Sequence, residues 1–387
     1  MSTPAATILL VLAALIGLSV ATGEWSDDPP AASSRPAPVA VIARRVEALR
    51  DLRFRSLPRP VGVTPAQASR EGIEAFDRDY PRARQRADER ILERLGLVDA
   101  DFSMRRYAET VFGEAVGGYY DPADGRLRVV TGAATGTRYL AEVTLAHELT
   151  HALEDQRFGL DILSGGNDRA LAKAALYEGS ATELMDRYGR RYFSPGDALA
   201  GAVASAVADF PDIPPFLEAQ LAFPYVGGLK FARELSRRGG GGWQLVDLAL
   251  QTRPPASTEQ VLHPDAYFEA EQPVPVRLRL RRVLGDGWRR AARGTWGELQ
   301  TRELLGSTDT AEGWGGDRYE LWTRGDDSLL AIRWRWDSGR DEAEFAERLR
   351  EIAADLPGEH AVARRAGAVT LVVSDGAALA RRAAASG

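Results

Sequence analysis

Between residues 138 and 157 the chain has no proline or glycine, and Leu140, Val143, His147, Thr150, His151 and Glu154 recur at the spacing of one helical face. Thr137 stands where an N-cap belongs, and Gly159 stands where a helix stops. A second helical stretch is expected over about 168–188. Upstream, Ile42, Val46, Leu49 and Leu52 line one side of a helix predicted over 39–57. Residues 59–63 suggest a strand, and helices follow near 65–78 and 84–95. Residues 117–122 and 126–130 read as a hairpin, with Asp121-Pro122-Ala123-Asp124-Gly125 as its turn. Residues 199–208 are small and apolar. Further helices are expected over 214–235 and 243–251, interrupted by the glycines at 239–242.

From about residue 276 the pattern changes. Strands are expected over 318–323 and 329–336, a helix over 341–354, strands over 361–365 and 368–373, and a last helix to about 384. This predicts a small α+β unit, with a ferredoxin-like arrangement as the first guess. Six of the eight tryptophans fall between Trp288 and Trp336, where core packing is the expected use.

Composition narrows the options. The chain has 387 residues and is 44% hydrophobic, enough for a sizeable core. Its net charge of −6 gives no reason to expect a nucleic-acid partner. With no cysteine, a disulfide framework, a cysteine nucleophile and a cysteine-zinc site are all excluded. Residues 5–20 are nearly unbroken apolar sequence, with no charge before Glu24. A signal peptide or membrane anchor is therefore expected over 1–22, placing the remainder outside the cytoplasm, secreted or anchored by that one segment. A Pro/Ala/Ser-rich linker over 23–39 leads into a domain at 40–275, followed by one at 276–387.

The chemistry concentrates at His147-Glu148-Leu149-Thr150-His151, in a chain with only four histidines. Positions i and i+4 of a helix lie ~40° apart around the axis and ~6 Å apart along it. Two imidazoles so placed can reach one metal ion, and one Zn2+ is the natural candidate. Glu148 is positioned to take a proton from water activated there. Hydrolytic zinc sites use three protein ligands and leave a position for water. Glu178 lies in the second helical stretch, and Gly179 after it lets another backbone or side chain approach closely. Each feature has a bland reading too: an HExxH can arise by chance, and a helical glutamate is usually solvated.

Together, the HELTH run and the Glu178-Gly179-Ser180-Ala181 segment 27 residues later resemble the gluzincin metallopeptidases, the thermolysin-like zincins. The Gly118-Tyr119-Tyr120-Asp121-Pro122 and Ser257-Thr258-Glu259-Gln260-Val261-Leu262-His263-Pro264 segments are similar to those of a narrower group of predicted secreted prokaryotic zinc peptidases. The resemblance implies a zincin-like α+β domain, with a small N-terminal sheet and an active-site helix followed by a mainly helical lobe. It implies His147, His151 and Glu178 as metal ligands and Glu148 as the base. It also implies a Tyr or His that stabilises the oxyanion, for which Tyr225 and His263 are the candidates. The substrate would be a peptide or protein, aligned along a strand edge just before the helix. Thermolysin-like enzymes carry an orienting aspartate four residues after the glutamate ligand; here that residue is Thr182, so Glu154 or Asp155 is expected to take the role. Two other readings stay open: a catalytically silent zincin-fold binding or assembly factor, and an envelope protein whose C-terminal part does the work.

Overall fold

The computed structural model describes residues 35–114, 118–122, 124–131, 137–161, 166–206, 213–306 and 310–386. The expected signal or anchor at 1–22, and most of the linker, lie outside them. No helix among the described residues is long and apolar enough to cross a membrane.

The fold is mixed α+β. Helix α1 (Val39–Arg50) comes first and ends earlier than its apolar periodicity suggests, because Asp51 turns into the left-handed region at φ 56°. Strand β1 (Pro60–Val63) and helices α2 (Pro65–Asp79), α3 (Arg82–Arg94) and α4 (Met104–Glu114) follow. Strands β2 (Gly118–Asp121) and β3 (Arg126–Val130) form the expected hairpin. The sheet order is β1-β3-β2, with β1 parallel to β3, which leaves β2 at an edge.

Next come α5 (Arg138–Phe158), α6 (Asn167–Tyr192), α7 (Pro195–Ala206), α8 (Pro215–Arg238) and α9 (Gln244–Gln251). The caps of α5 are the expected ones: Thr137 accepts from the Leu140 amide at 3.2 Å, and Gly159 ends the helix at φ 74°. Helices α1, α5, α6, α8 and α9 share a core that includes Val46, Leu149, Leu176, Phe231 and Val246. The polar stretch beyond it folds into two single-turn helices, α10 (Thr258–Leu262) and α11 (Pro264–Phe268).

After α12 (Arg281–Leu284), the C-terminal part contains β4 (Arg289–Gly294), α13 (Glu298–Leu305), β5 (Trp314–Arg324), β6 (Asp327–Trp336), α14 (Gly339–Ala353), β7 (Glu359–Arg364), β8 (Val369–Ser374) and α15 (Ala377–Ser386). Its sheet runs β4-β5-β6-β8-β7 with every neighbouring pair antiparallel. This corrects the ferredoxin-like guess: a split βαβ unit keeps the two strands joined through a helix parallel and apart, whereas β4 and β5, joined through α13, are adjacent and antiparallel. Between β7 and β8, Ala366 (φ 53°) and Gly367 (φ 69°) form a two-residue hairpin loop that reverses the chain at once.

The sequence change near 276 does not separate two cores. Phe76, Tyr80 and Phe112 belong to the same apolar cluster as Trp314, Trp334 and Leu371, and those two indoles are fully buried, as expected of core tryptophans. Arg84 crosses the junction. It bonds Asp88 at 2.8 Å and the Tyr319 hydroxyl at 2.6 Å, and Asn167 at the start of α6 also donates to that hydroxyl at 2.6 Å.

Candidate metal centre

Helix α5 carries His147, Glu148 and His151 on one buried turn, and α6 brings Glu178 to face them. The Nε2 atoms of His147 and His151 are 3.0 Å apart. Glu178 Oε2 lies 3.1 Å from His147 Nε2 and 3.4 Å from His151 Nε2. Two ligands at ~2.0–2.1 Å from a tetrahedral ion are separated by about 3.3 Å. The three donor atoms therefore already stand at the edge lengths of a zinc tripod. Exposure of 1%, 6% and 1% for His147, His151 and Glu178 removes the solvated-helix reading of the glutamate.

The approach of α8 completes one side. Gly179, directly after Glu178, packs against Gly228 so closely that a Cβ on it would lie 2.1 Å from the Gly228 carbonyl oxygen. Three residues before Gly228, Tyr225 is carried to the site. Its ring stacks on His147, with centroids 6.3 Å apart and planes at 30°. Burial, followed by the charges of Glu178 and Glu148 and a hydrogen bond to Glu178, pushes the Tyr225 pKa well above its usual value. The phenol therefore remains a proton donor. The Gly227-Gly228 pair inside a helical stretch was the available signal for this crossing.

Glu148 is held from the sheet. The Tyr120 amide, on the edge of β2, donates to Glu148 Oε2 at 2.8 Å. The Tyr120 hydroxyl donates to Asp155 Oδ2 at 2.7 Å, tying β2 to the last turns of α5. Glu148 Oε1 is buried and has no hydrogen-bond partner among the described residues. Burial pushes the Glu148 pKa up to about 8. This amide contact could not be read from spacing, because it depends on how the sheet docks on α5.

Charge at the centre is tightly coupled. Burial opposes ionisation of Glu178, but His151 and His147 outweigh it and hold its pKa at about 2. Burial likewise opposes a charged His151, yet Glu178 and Glu148 lift it to about 9. His147 is lowered, chiefly by burial. Glu178 is thus held ionised by positive charge beside it, a role that a divalent cation would take over from the imidazole proton. Donor set, edge lengths and charge all fit zinc.

The expected orienting role of Glu154 or Asp155 is not what the structure has. Glu154 Oε1 accepts from Arg50 Nε at 2.7 Å and from Ser180 Oγ at 2.5 Å. Asp155 accepts from the Tyr120 hydroxyl and, at 2.9 Å, from the Leu160 amide. Each carboxylate has been recruited by a nearer donor. The Nδ1 atoms of His147 and His151 are buried without a hydrogen-bond partner among the described residues. Thr182 is buried as well and contacts neither ring by a hydrogen bond.

His263 is placed elsewhere. Half-exposed between α10 and α11, it bonds Glu298 of α13 at 2.8 Å, and that hydrogen bond raises its pKa. None of its contacts reaches the tripod.

A family described as "Domain of unknown function (DUF8575)" matches residues 281–386, which covers the C-terminal sheet and leaves the metal centre outside. No curated protein and no solved structure matches the chain.

Proposed function

We propose that this protein is a zinc-dependent peptidase acting outside the cytoplasm on peptide or protein substrates, with a zincin-like fold around the site. The observation that carries the proposal is the convergence of His147, His151 and Glu178 donor atoms within 3.0–3.4 Å, with Glu148 on the same turn. His147, His151 and Glu178 would hold the ion. A zinc ion there would supply Lewis acidity to a substrate carbonyl and to water. Glu148 would take the proton of the attacking water and later deliver it to the leaving amine. The Tyr120 amide holds one of its oxygens and leaves the other for that work. The edge of β2 is the surface on which an extended peptide would pair, through main-chain groups other than the Tyr120 amide.

The test combines elemental analysis with casein cleavage. Zinc close to one per chain in the wild type should fall sharply in Glu178→Ala. Cleavage should drop by ~10²–10⁴ in Glu148→Gln, with zinc retained. Zinc without cleavage would instead support the binding or assembly factor. Absence of zinc after metal-replete preparation would end the metallopeptidase reading.

A further inference from the structure

The C-terminal sheet carries a second concentration of chemistry, of opposite sign to the chain as a whole. Two Arg-x-Arg runs alternate arginine with core residues. Arg277 and Arg279 lie on either side of the partly buried Leu278, and Arg333 and Arg335 flank the fully buried Trp334. On β6 the period of two sends Arg333 and Arg335 to one side. All four line one hollow of about 290 Å³ beside the end of β6, and its lining contains no aspartate or glutamate.

Elsewhere on this sheet Arg290 pairs with Glu320, Arg324 with Asp327 and Arg364 with Glu342, while Arg289, Arg293 and Arg318 have no ion pair among the described residues but do not gather around one hollow. In the hollow none of the four has an ion pair among the described residues. Arg335 reaches only the carbonyls of Gly367 and Ala366, at 3.4 and 3.2 Å, and Arg333 only the Thr370 hydroxyl, at 3.4 Å. Arg277 and Arg279 have no hydrogen bond among the described residues. Burial, and then the charges of Arg335 and Arg279, depress the Arg333 pKa. Guanidinium groups do not deprotonate, so their repulsion is relieved by a bound anion. Their fork geometry matches a tetrahedral oxyanion bidentately. The hollow has ample room for a phosphate group.

We propose that this hollow is a binding site for a phosphate-class group, either free phosphate or the phosphate of a lipid headgroup. The proposal is independent of the metal centre. The full chain would be heated with increasing inorganic phosphate, against chloride at matched ionic strength. It would also be floated with vesicles of phosphatidylcholine, with or without phosphatidic acid. Arg335→Gln and Arg279→Gln are the test variants, both exposed positions, and Arg348→Gln is the charge control.

Phosphate is expected to raise the melting midpoint of the wild type and the control by about 2 °C or more over chloride, and that gain should vanish in both test variants. A response to phosphate alone supports the site and assigns a soluble ligand. A response to phosphatidic acid alone, lost in the test variants, supports the site and assigns a headgroup. Absence of both responses, or responses equal in test variants and control, would overturn the proposal.

Discussion

Gly179 of α6 and Gly228 of α8 meet backbone to backbone. A Cβ on Gly179 would lie 2.1 Å from the Gly228 carbonyl oxygen, and one on Gly228 would lie 2.1 Å from the Ala175 carbonyl oxygen. The residue before Gly179 is the proposed ligand Glu178, and three residues before Gly228 is Tyr225. The absence of two side chains thus sets how close the phenol comes to the Glu178 carboxylate.

Gly179→Ala should therefore act at the site as well as on stability. The added methyl collides with backbone, which cannot swing aside, so a cost at the upper end of ~1–3 kcal/mol is expected. Zinc content should fall with it, because α8 must retreat. Chemical denaturation combined with metal analysis checks this. A stable variant with full zinc would show that the crossing is not needed.

Tyr225 bonds Glu178, so its hydroxyl acts first on the ligand. Tyr225→Phe is expected to weaken zinc affinity about tenfold. Cleavage at saturating zinc should stay within a few-fold of wild type. If kcat instead drops ~10²–10³ with zinc fully bound, the hydroxyl serves the oxyanion. Metal titration alongside steady-state kinetics separates these roles.

Arg50 is completely buried, and it joins α1 to α5 and α9 through Glu154 at 2.7 Å and Asp247 at 2.5 Å, with its guanidinium 4.4 Å from the Trp243 ring centroid. Arg50→Met strands the buried Glu154 carboxylate, with an expected loss of ~3–5 kcal/mol. Arg50→Met with Glu154→Gln should recover a good part of that loss. Urea unfolding of the two single variants and the double variant measures the coupling, and additive losses would contradict it.

Asp168, near the start of α6, is buried. Burial raises its pKa to about 7 against the hydrogen bonds from Thr258, with Asp317 and Glu298 adding to the rise. A carboxyl raised above its unfolded value of ~3.9 favours the fold when protonated. Its contribution is full below about pH 4 and is lost as pH rises through about 7. Asp168→Asn has no proton to lose. Relative to wild type, the variant should therefore gain stability between pH 5 and pH 8. Unfolding midpoints at the two pH values test the sign, and a constant difference would rule out the shifted pKa.

Much of this protein was legible in the chain itself. The i, i+4 histidines, the capped helix around them and the Glu-Gly-Ser-Ala segment follow from local periodicity, and local hydrogen bonding and side-chain spacing are what a helix enforces. The hairpin of β2 and β3, and the buried tryptophans, were readable for the same reason. Tertiary structure alone decided the rest. Whether Glu178 turned to the histidines or to solvent depended on two helices meeting at Gly179 and Gly228. Tyr225 joined the centre because α8, which carries it, crosses the distant α6 at Gly179, and His263 left it because Glu298, 35 residues away, holds its ring. Glu154 was drawn to Arg50, 104 residues away, and not to a histidine ring one turn back. Such choices rest on which donor is nearest once apolar faces have packed, and sequence spacing carries no record of that distance.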